Sequence, residues 1–149
     1  MKRPRPILSA LFALVLSALV LTLTPLNARA AGVIYSGTWG TCPWEITADG
    51  TLTVHPGVGA SQEDIYVSPW NDYSSSITSV VLAKEGGRKV VLPEDSAFLF
   101  YRLRRVTSMD LSAADASVVR TMYWMFGGCS SLVSLDLSGW DTSSAEDIR

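Results

Sequence analysis

Apolar residues recur at a fixed interval in the second half of the chain. Val106-Thr107-Ser108-Met109-Asp110-Leu111-Ser112 lies over Leu132-Val133-Ser134-Leu135-Asp136-Leu137-Ser138 at a step of 26 residues. The same step carries Asp115 onto Asp141, Ser117 onto Ser143 and Met122 onto Ile148. It also carries Phe98-Leu99-Phe100 onto Trp124-Met125-Phe126 and Leu103 onto Cys129. A constant period in the range of about 20–50 residues marks a stacked repeat. Alternate residues of a short strand face one side. Val106, Met109, Leu111, Val119, Met122, Met125, Phe126 and Cys129 are therefore expected to point inward, followed by Leu132, Leu135 and Leu137.

The L-x-x-L-x-L spacing narrows this to a leucine-rich repeat. Upstream, Ile77-Thr78-Ser79-Val80-Val81-Leu82 matches Val106–Leu111 at an offset of 29. That rung then carries a three-residue insertion, placed at Lys84–Lys89 around Gly86-Gly87. The reading gives full rungs at 77–105 and 106–131 and a partial third ending at Arg149. Stacks of this kind need roughly three repeats and a cap at each end. After Leu137 the chain holds mainly Ser, Asp, Ala and Glu, so it is expected to be a fragment of a longer protein or a truncated copy.

Before the rungs, Val33–Val54 alternates as β structure. A two-residue Asp49-Gly50 turn would pair Ile46 with Thr53 and mix apolar and polar residues on one face. A three-residue loop, Ala48-Asp49-Gly50, pairs Ile46 with Leu52 and Trp44 with Val54. Register follows the hydrophobic face, so the longer loop is expected, with Gly50 left-handed. Gly37, Gly40, Gly57 and Gly59 are expected at flanking turns, and Pro56–Val67 as a surface loop. Ser68-Pro69-Trp70 reads as a helix start with a hydroxyl cap. A helical turn there would lay Trp70 and Tyr73 over the first rung, with Ser74–Ser76 ending it. The fold class is thus mainly β: a β-hairpin cap module at 31–76, then a short leucine-rich-repeat solenoid at 77–149.

The first thirty residues stand apart. Lys2, Arg3 and Arg5 precede an almost wholly apolar run from Ile7 to Leu26, followed by Ala28-Arg29-Ala30. This is the layout of a signal peptide cleaved after Ala30. The alternative is an uncleaved membrane anchor, since the run approaches the ~18–20 residues of a spanning helix. Cleavage takes Lys2, Arg3, Arg5 and Arg29 from the 12 basic residues and leaves eight against 14 acidic ones. With no basic stripe, nucleic acid is not an expected partner. The two cysteines, Cys42 and Cys129, can pair in an oxidising compartment. The preferred reading keeps Cys129 as a small buried hydrophobe at the place of Leu103.

Candidate chemistry is sparse. His55, the one histidine, reads as a surface residue without catalytic partners. No spacing suggests zinc or a phosphate loop, and no cofactor is expected. Asp110 and Asp136 each lie between inward apolar residues and so point outward. On strands ~4.8 Å apart they would be neighbours, raising one pKa or attracting a cation. Two carboxylates are too few for calcium, which favours a solvated acidic ladder on a binding face. Asp115 and Asp141 are expected to brace the turns that follow them. Trp140, after Gly139, is either an exposed anchor or packed on the next rung.

Two stretches carry a resemblance. Met122-Tyr-Trp-Met-Phe126-Gly-Gly-Cys129-Ser-Ser-Leu132-Val-Ser-Leu135-Asp-Leu137-Ser-Gly-Trp140-Asp141-Thr-Ser-Ser resembles the repeat of BspA-like leucine-rich-repeat surface proteins of bacteria, also known from mycoplasma surface proteins. Ser36-Gly-Thr-Trp39-Gly-Thr-Cys42-Pro-Trp44-Glu-Ile46, Asp49-Gly-Thr-Leu-Thr53 and Pro69-Trp70 resemble the module that precedes it. Tyr101-Arg102-Leu103-Arg104-Arg105 departs from the Gly-Gly-Cys-Ser-Ser pattern. The resemblance implies a secreted or cell-surface protein that adheres to a protein or glycan on another cell or on a host, without enzymatic chemistry. The expected binding surface holds Asp110, Asp136 and Trp140. The alternative is carbohydrate recognition by the Trp-rich N-terminal region through Trp39, Trp44 or Trp70, and a secreted hydrolase is the least favoured class.

Overall fold

The computed structural model describes residues 32–61 and 68–149. The expected signal peptide, its cleavage site and part of the 56–67 loop lie outside the described residues. Gly32–Arg149 forms one compact unit. It is mainly β, with open sheets and, among the described residues, one short 3-10 helix.

Three strands start the chain. β1 (Val33–Trp39), β2 (Cys42–Thr47) and β3 (Thr51–Val54) form an antiparallel meander. Trp44 pairs with Val54 and Ile46 with Leu52, the register the hydrophobic face demands. Gly50 holds φ +87° at the turn, where a side chain would collide with Thr78 Oγ1 and the Ser76 carbonyl. The turn therefore presses on the next segment of chain as well as reversing direction. Gly37 lies inside β1 rather than at a turn. The Trp44 indole occupies the space that a Cβ would need, 2.7 Å from Cζ2. Gly57 likewise sits in β4 (Gly57–Val58), against the Thr41 backbone.

The sheet then continues in parallel. β3 pairs with β5 (Ser79–Leu82) and β5 with β7 (Ser108–Asp110), giving the order β1-β2-β3-β5-β7. Partners are Leu52 with Val80, Val54 with Leu82, and Val80 with Met109. A second sheet runs β4-β6-β8, through β6 (Val90–Val91) and β8 (Ala114–Asp115). A third line consists of single parallel bridges, Asp95 to Thr121 and Thr121 to Asp147. Further on, the N–H groups of Phe98, Phe100 and Arg102 donate to the carbonyls of Tyr123, Met125 and Gly127. The expected boundary at 76/77 is crossed by the first sheet, since β3 and β5 are direct neighbours.

Between these lines lies one apolar core. Ile46, Leu52, Val54, Val80, Leu82, Leu92, Val106, Leu111 and Val119 are buried. Met109, Met122, Phe126, Cys129, Leu132, Leu135 and Leu137 pack against it half-buried. A column of rings runs through the core: Trp70 stacks on Phe100 at 5.7 Å, and Phe100 on Phe126 at 5.8 Å. Trp70 also donates its indole N–H to the Leu99 carbonyl at 3.1 Å.

Two local expectations change. The 3-10 helix spans Asn71–Ser76, so Ser74–Ser76 lie within it. Its N-cap is Trp70, without a side-chain cap. Ser68 is buried and its carbonyl accepts the Asn71 N–H at 2.9 Å, so a turn precedes the helix. Leu135-Asp136-Leu137 forms no strand. Its leucines pack on the core, but the row has a neighbour on one side only among the described residues. A long bond from Val133 N–H to the Thr107 carbonyl, 3.4 Å, replaces a ladder. Half a set of strand partners does not hold a regular extended backbone.

Candidate binding surface

Strand alternation builds the outward face of the first sheet. With Leu52, Val54, Val80 and Leu82 buried, Thr51, Thr53, Ser79 and Val81 must face the other way. Pairing aligns them in rows: Thr51 beside Ser79 beside Ser108, and Thr53 beside Val81 beside Asp110. Ser79 Oγ donates to Thr51 Oγ1 at 3.0 Å, so the first row is bonded across strands. This is a face of short polar side chains with Asp110 exposed at its edge.

Asp110 and Asp136 are both exposed, but each also bends its own backbone. Asp110 Oδ1 accepts the Ser112 N–H at 3.1 Å and the Ser112 hydroxyl at 2.7 Å. Asp136 accepts the Ser138 N–H at 2.9 Å. The expected rise in pKa from facing carboxylates is reversed: Ser112 holds the Asp110 carboxyl below its ordinary value, and Ser138 does the same for Asp136. Hydrogen bonds to the charged form outweigh any mutual repulsion here. Asp115 and Asp141 brace turns through Ser117 and Ser143, as expected. Asp49, Asp95 and Asp147 make the same bond to the N–H two residues on. Sequence reasoning separated Asp110 and Asp136 from this set, although the shared Asp-x-Ser spacing was there to be read. Among the described residues no group of three or more His, Cys, Asp or Glu side chains is placed to hold a metal ion.

Trp140 is half-buried against the core, and its indole N–H donates to the Leu111 carbonyl at 3.2 Å. It packs across the preceding row rather than standing free. Trp39, Trp44 and Trp70 are all buried, at 4%, 5% and 0% exposure. Sugar stacking through these three rings is therefore ruled out: they are the aromatic core of the N-terminal strands. Cys42 and Cys129 are free thiols. Burial raises the Cys42 pKa to about 11, and Cys129 Sγ donates to the Phe100 carbonyl at 3.1 Å.

A scan of protein-family models, a search of curated proteins and a search of solved structures each find no match to this chain. Function must therefore be argued from the surface itself.

Two groupings escaped the sequence. His55 is not a solitary surface residue: Nδ1 lies 2.8 Å from Glu85 Oε1, and Nε2 lies 3.6 Å from Glu45 Oε1. The imidazole ties the first hairpin to the Glu85–Arg88 turn, where Gly86 and Gly87 both take positive φ as a tight hairpin requires. Its partners are 10 and 30 residues away in sequence, so only the parallel pairing of β3 with β5 reveals them.

The second grouping is a closed circuit of four rings. Phe98 meets Tyr101 at 5.3 Å and Tyr123 at 5.4 Å. Trp124 meets Tyr101 at 5.8 Å and Tyr123 at 6.1 Å. Phe98 and Tyr101 are buried, whereas Trp124 is 46% exposed. Phe98 and Trp124 share a left-handed backbone, φ +59° and +51°, as do Arg102 and Gly128 at +58° and +75°. The 26-residue offset that relates both pairs was legible; the conformation was not.

Proposed function

We propose that the chain is an exported, non-enzymatic leucine-rich-repeat binding module built as a short solenoid behind an N-terminal β-hairpin cap. It acts at a cell surface or in the medium and adheres to a protein or glycan of another cell. The observation that carries this reading is the open outward face of β3, β5 and β7, where paired positions line up Thr51, Ser79 and Ser108. Ladders of short polar side chains leave a flat surface that a partner's backbone and side chains can approach closely. The 26-residue spacing of the Asp95, Thr121 and Asp147 bridges supports stacked rungs, as does the matched left-handed pair at Phe98 and Trp124. The basic, apolar and small-residue sequence of the first thirty residues supports export.

The test is binding of the secreted chain to an array of extracellular-matrix proteins, with Asp110→Asn and Asp136→Asn combined. Asparagine keeps the side-chain oxygen that braces each turn and removes only the charge. A captured partner whose affinity falls in the double variant supports the outward face. Unchanged affinity excludes Asp110 and Asp136 from the contact. Retention of the chain in the cytoplasm would remove the adhesion reading itself.

A further inference from the structure

We propose that Trp124, with Tyr101 and Arg102, forms a binding site for an acidic saccharide, a pyranose carrying a carboxylate. The proposal rests on the reading of the chain as an exported binding module, and it names a site away from the Asp110 face.

Trp124 is a large apolar side chain left 46% exposed, and it is held rather than loose. One side of its indole lies against Gly127, where a Cβ would come within 2.8 Å of Cε3. Its backbone sits at φ +51°, a conformation costing a side-chain-bearing residue about 1–2 kcal/mol over glycine. Tyr101 and Tyr123 border the ring. A rigid indole with one face packed and the other free is the geometry that stacks on the C–H face of a sugar ring.

The charge beside it is positive. The Arg102 guanidinium lies over the Tyr101 ring, 4.9 Å from its centroid. Its stem rests on Gly128, with Cγ 3.2 Å from where a Cβ would be. Consecutive glycines thus seat the two recognition side chains, Trp124 on Gly127 and Arg102 on Gly128. A guanidinium stacked on a ring keeps its in-plane N–H fork available for a carboxylate. On the other side, Arg149 lies 5.7 Å over the Tyr123 ring and is bonded to Asp147 at 3.0 and 2.8 Å. A cleft of about 400 Å³ opens here, bounded by Trp124, Phe126, Gly128 and Arg149. That volume suits a one- or two-sugar segment. Two guanidiniums at the rim disfavour a cationic ligand and favour an anionic one.

The probe is a short oligogalacturonate, titrated into the full chain by calorimetry, against its methyl ester as the neutral twin. The expected result is binding of the acid form about tenfold tighter than the ester. Trp124→Ala is expected to weaken binding about tenfold, and Arg102→Gln about fivefold with loss of the preference for the acid form. The comparison of acid and ester on the unaltered chain stands even if a variant fails to fold. The proposal is overturned by no binding, by equal binding of acid and ester, or by variants that fold and bind like the parent. It is also overturned if sedimentation shows Trp124 burying itself in a dimer. Each of these results leaves matrix-protein capture through Asp110 and Asp136 standing, and loss of that capture leaves the saccharide titration unaffected.

Discussion

Residues 106–111 and 132–137 carry nearly the same string of side chains and meet different fates. Val106 and Leu111 are buried, while Leu132, Leu135 and Leu137 are half-buried and Val133 is 85% exposed. Ser108–Asp110 forms a strand on β5; Ser134–Asp136 forms none. The pattern of apolar residues determines which side chains turn inward. Whether the backbone becomes a strand depends on finding a partner for its N–H and C=O groups. In 106–111 the preceding row supplies that partner and the following row covers the side chains. In 132–137 only the first of these is present, and it is present weakly.

Ring truncations give the widest separation between covered and uncovered positions. Phe100 lies between Trp70 and Phe126 and is fully buried, whereas Phe126 has a stacked ring on one side. Phe100→Ala should destabilise by about 3–5 kcal/mol and Phe126→Ala by roughly half as much, read by urea unfolding. Equal losses would mean that Phe126 is as well covered as Phe100. Leucines test the same contrast at smaller amplitude: Leu111→Ala should cost about 2–4 kcal/mol and Leu137→Ala about 1–2 kcal/mol. Glycines come next. Gly50→Ala adds a collision with Thr78 Oγ1 at 2.5 Å to its left-handed strain. Gly86→Ala meets nothing within 4 Å, so it should cost only the ~1–2 kcal/mol of that strain. A Gly50 loss no larger than that of Gly86 would show that Thr78 moves aside freely.

These contrasts also mark how far the sequence could be read. The inward set, the Ile46–Leu52 register and the pairing of Val80 with Met109 follow from spacing alone, because side-chain alternation leaves one solution that buries the apolar face. The mainly β class follows for the same reason. The surface was less legible. Trp39, Trp44 and Trp70 looked like ligand anchors and are core, since an indole's size says nothing of which side it faces. Trp124 looked like a core position by its offset from Phe98, and it is half-exposed. His55 with Glu45 and Glu85, and Tyr101 with Trp124, are contacts between rows. No local pattern encodes them. The Asp110 and Asp136 turns were legible, and strand alternation drew attention away from them.

Acid offers the gentlest way to set the two regions apart. Asp110, Asp115, Asp136 and Asp141 have carboxyls held below their ordinary values by the serine two residues on, and Arg149 brings Asp147 down to about 2. All five lie beyond residue 105; before it, Asp49 is lowered by Thr47 and Thr51. A carboxyl whose folded pKa lies below its unfolded value of about 3.9 contributes stability above that value, and loses it as pH falls through the folded pKa. The effect therefore opens below about pH 4 and continues toward pH 2. Each exposed turn adds little, but five of them fall on the rows with the fewest strand bonds. Pepsin digestion stepped from pH 4 to pH 2 should cut within residues 106–149 before it reaches β1–β3. Replacing Asp110, Asp115, Asp136 and Asp141 by Asn keeps the acceptor oxygens and removes the titration. That variant should show a shallower fall of thermal midpoint across the same window. First cuts in β1–β3, or an unchanged slope in the Asn variant, would place the acid-sensitive groups elsewhere.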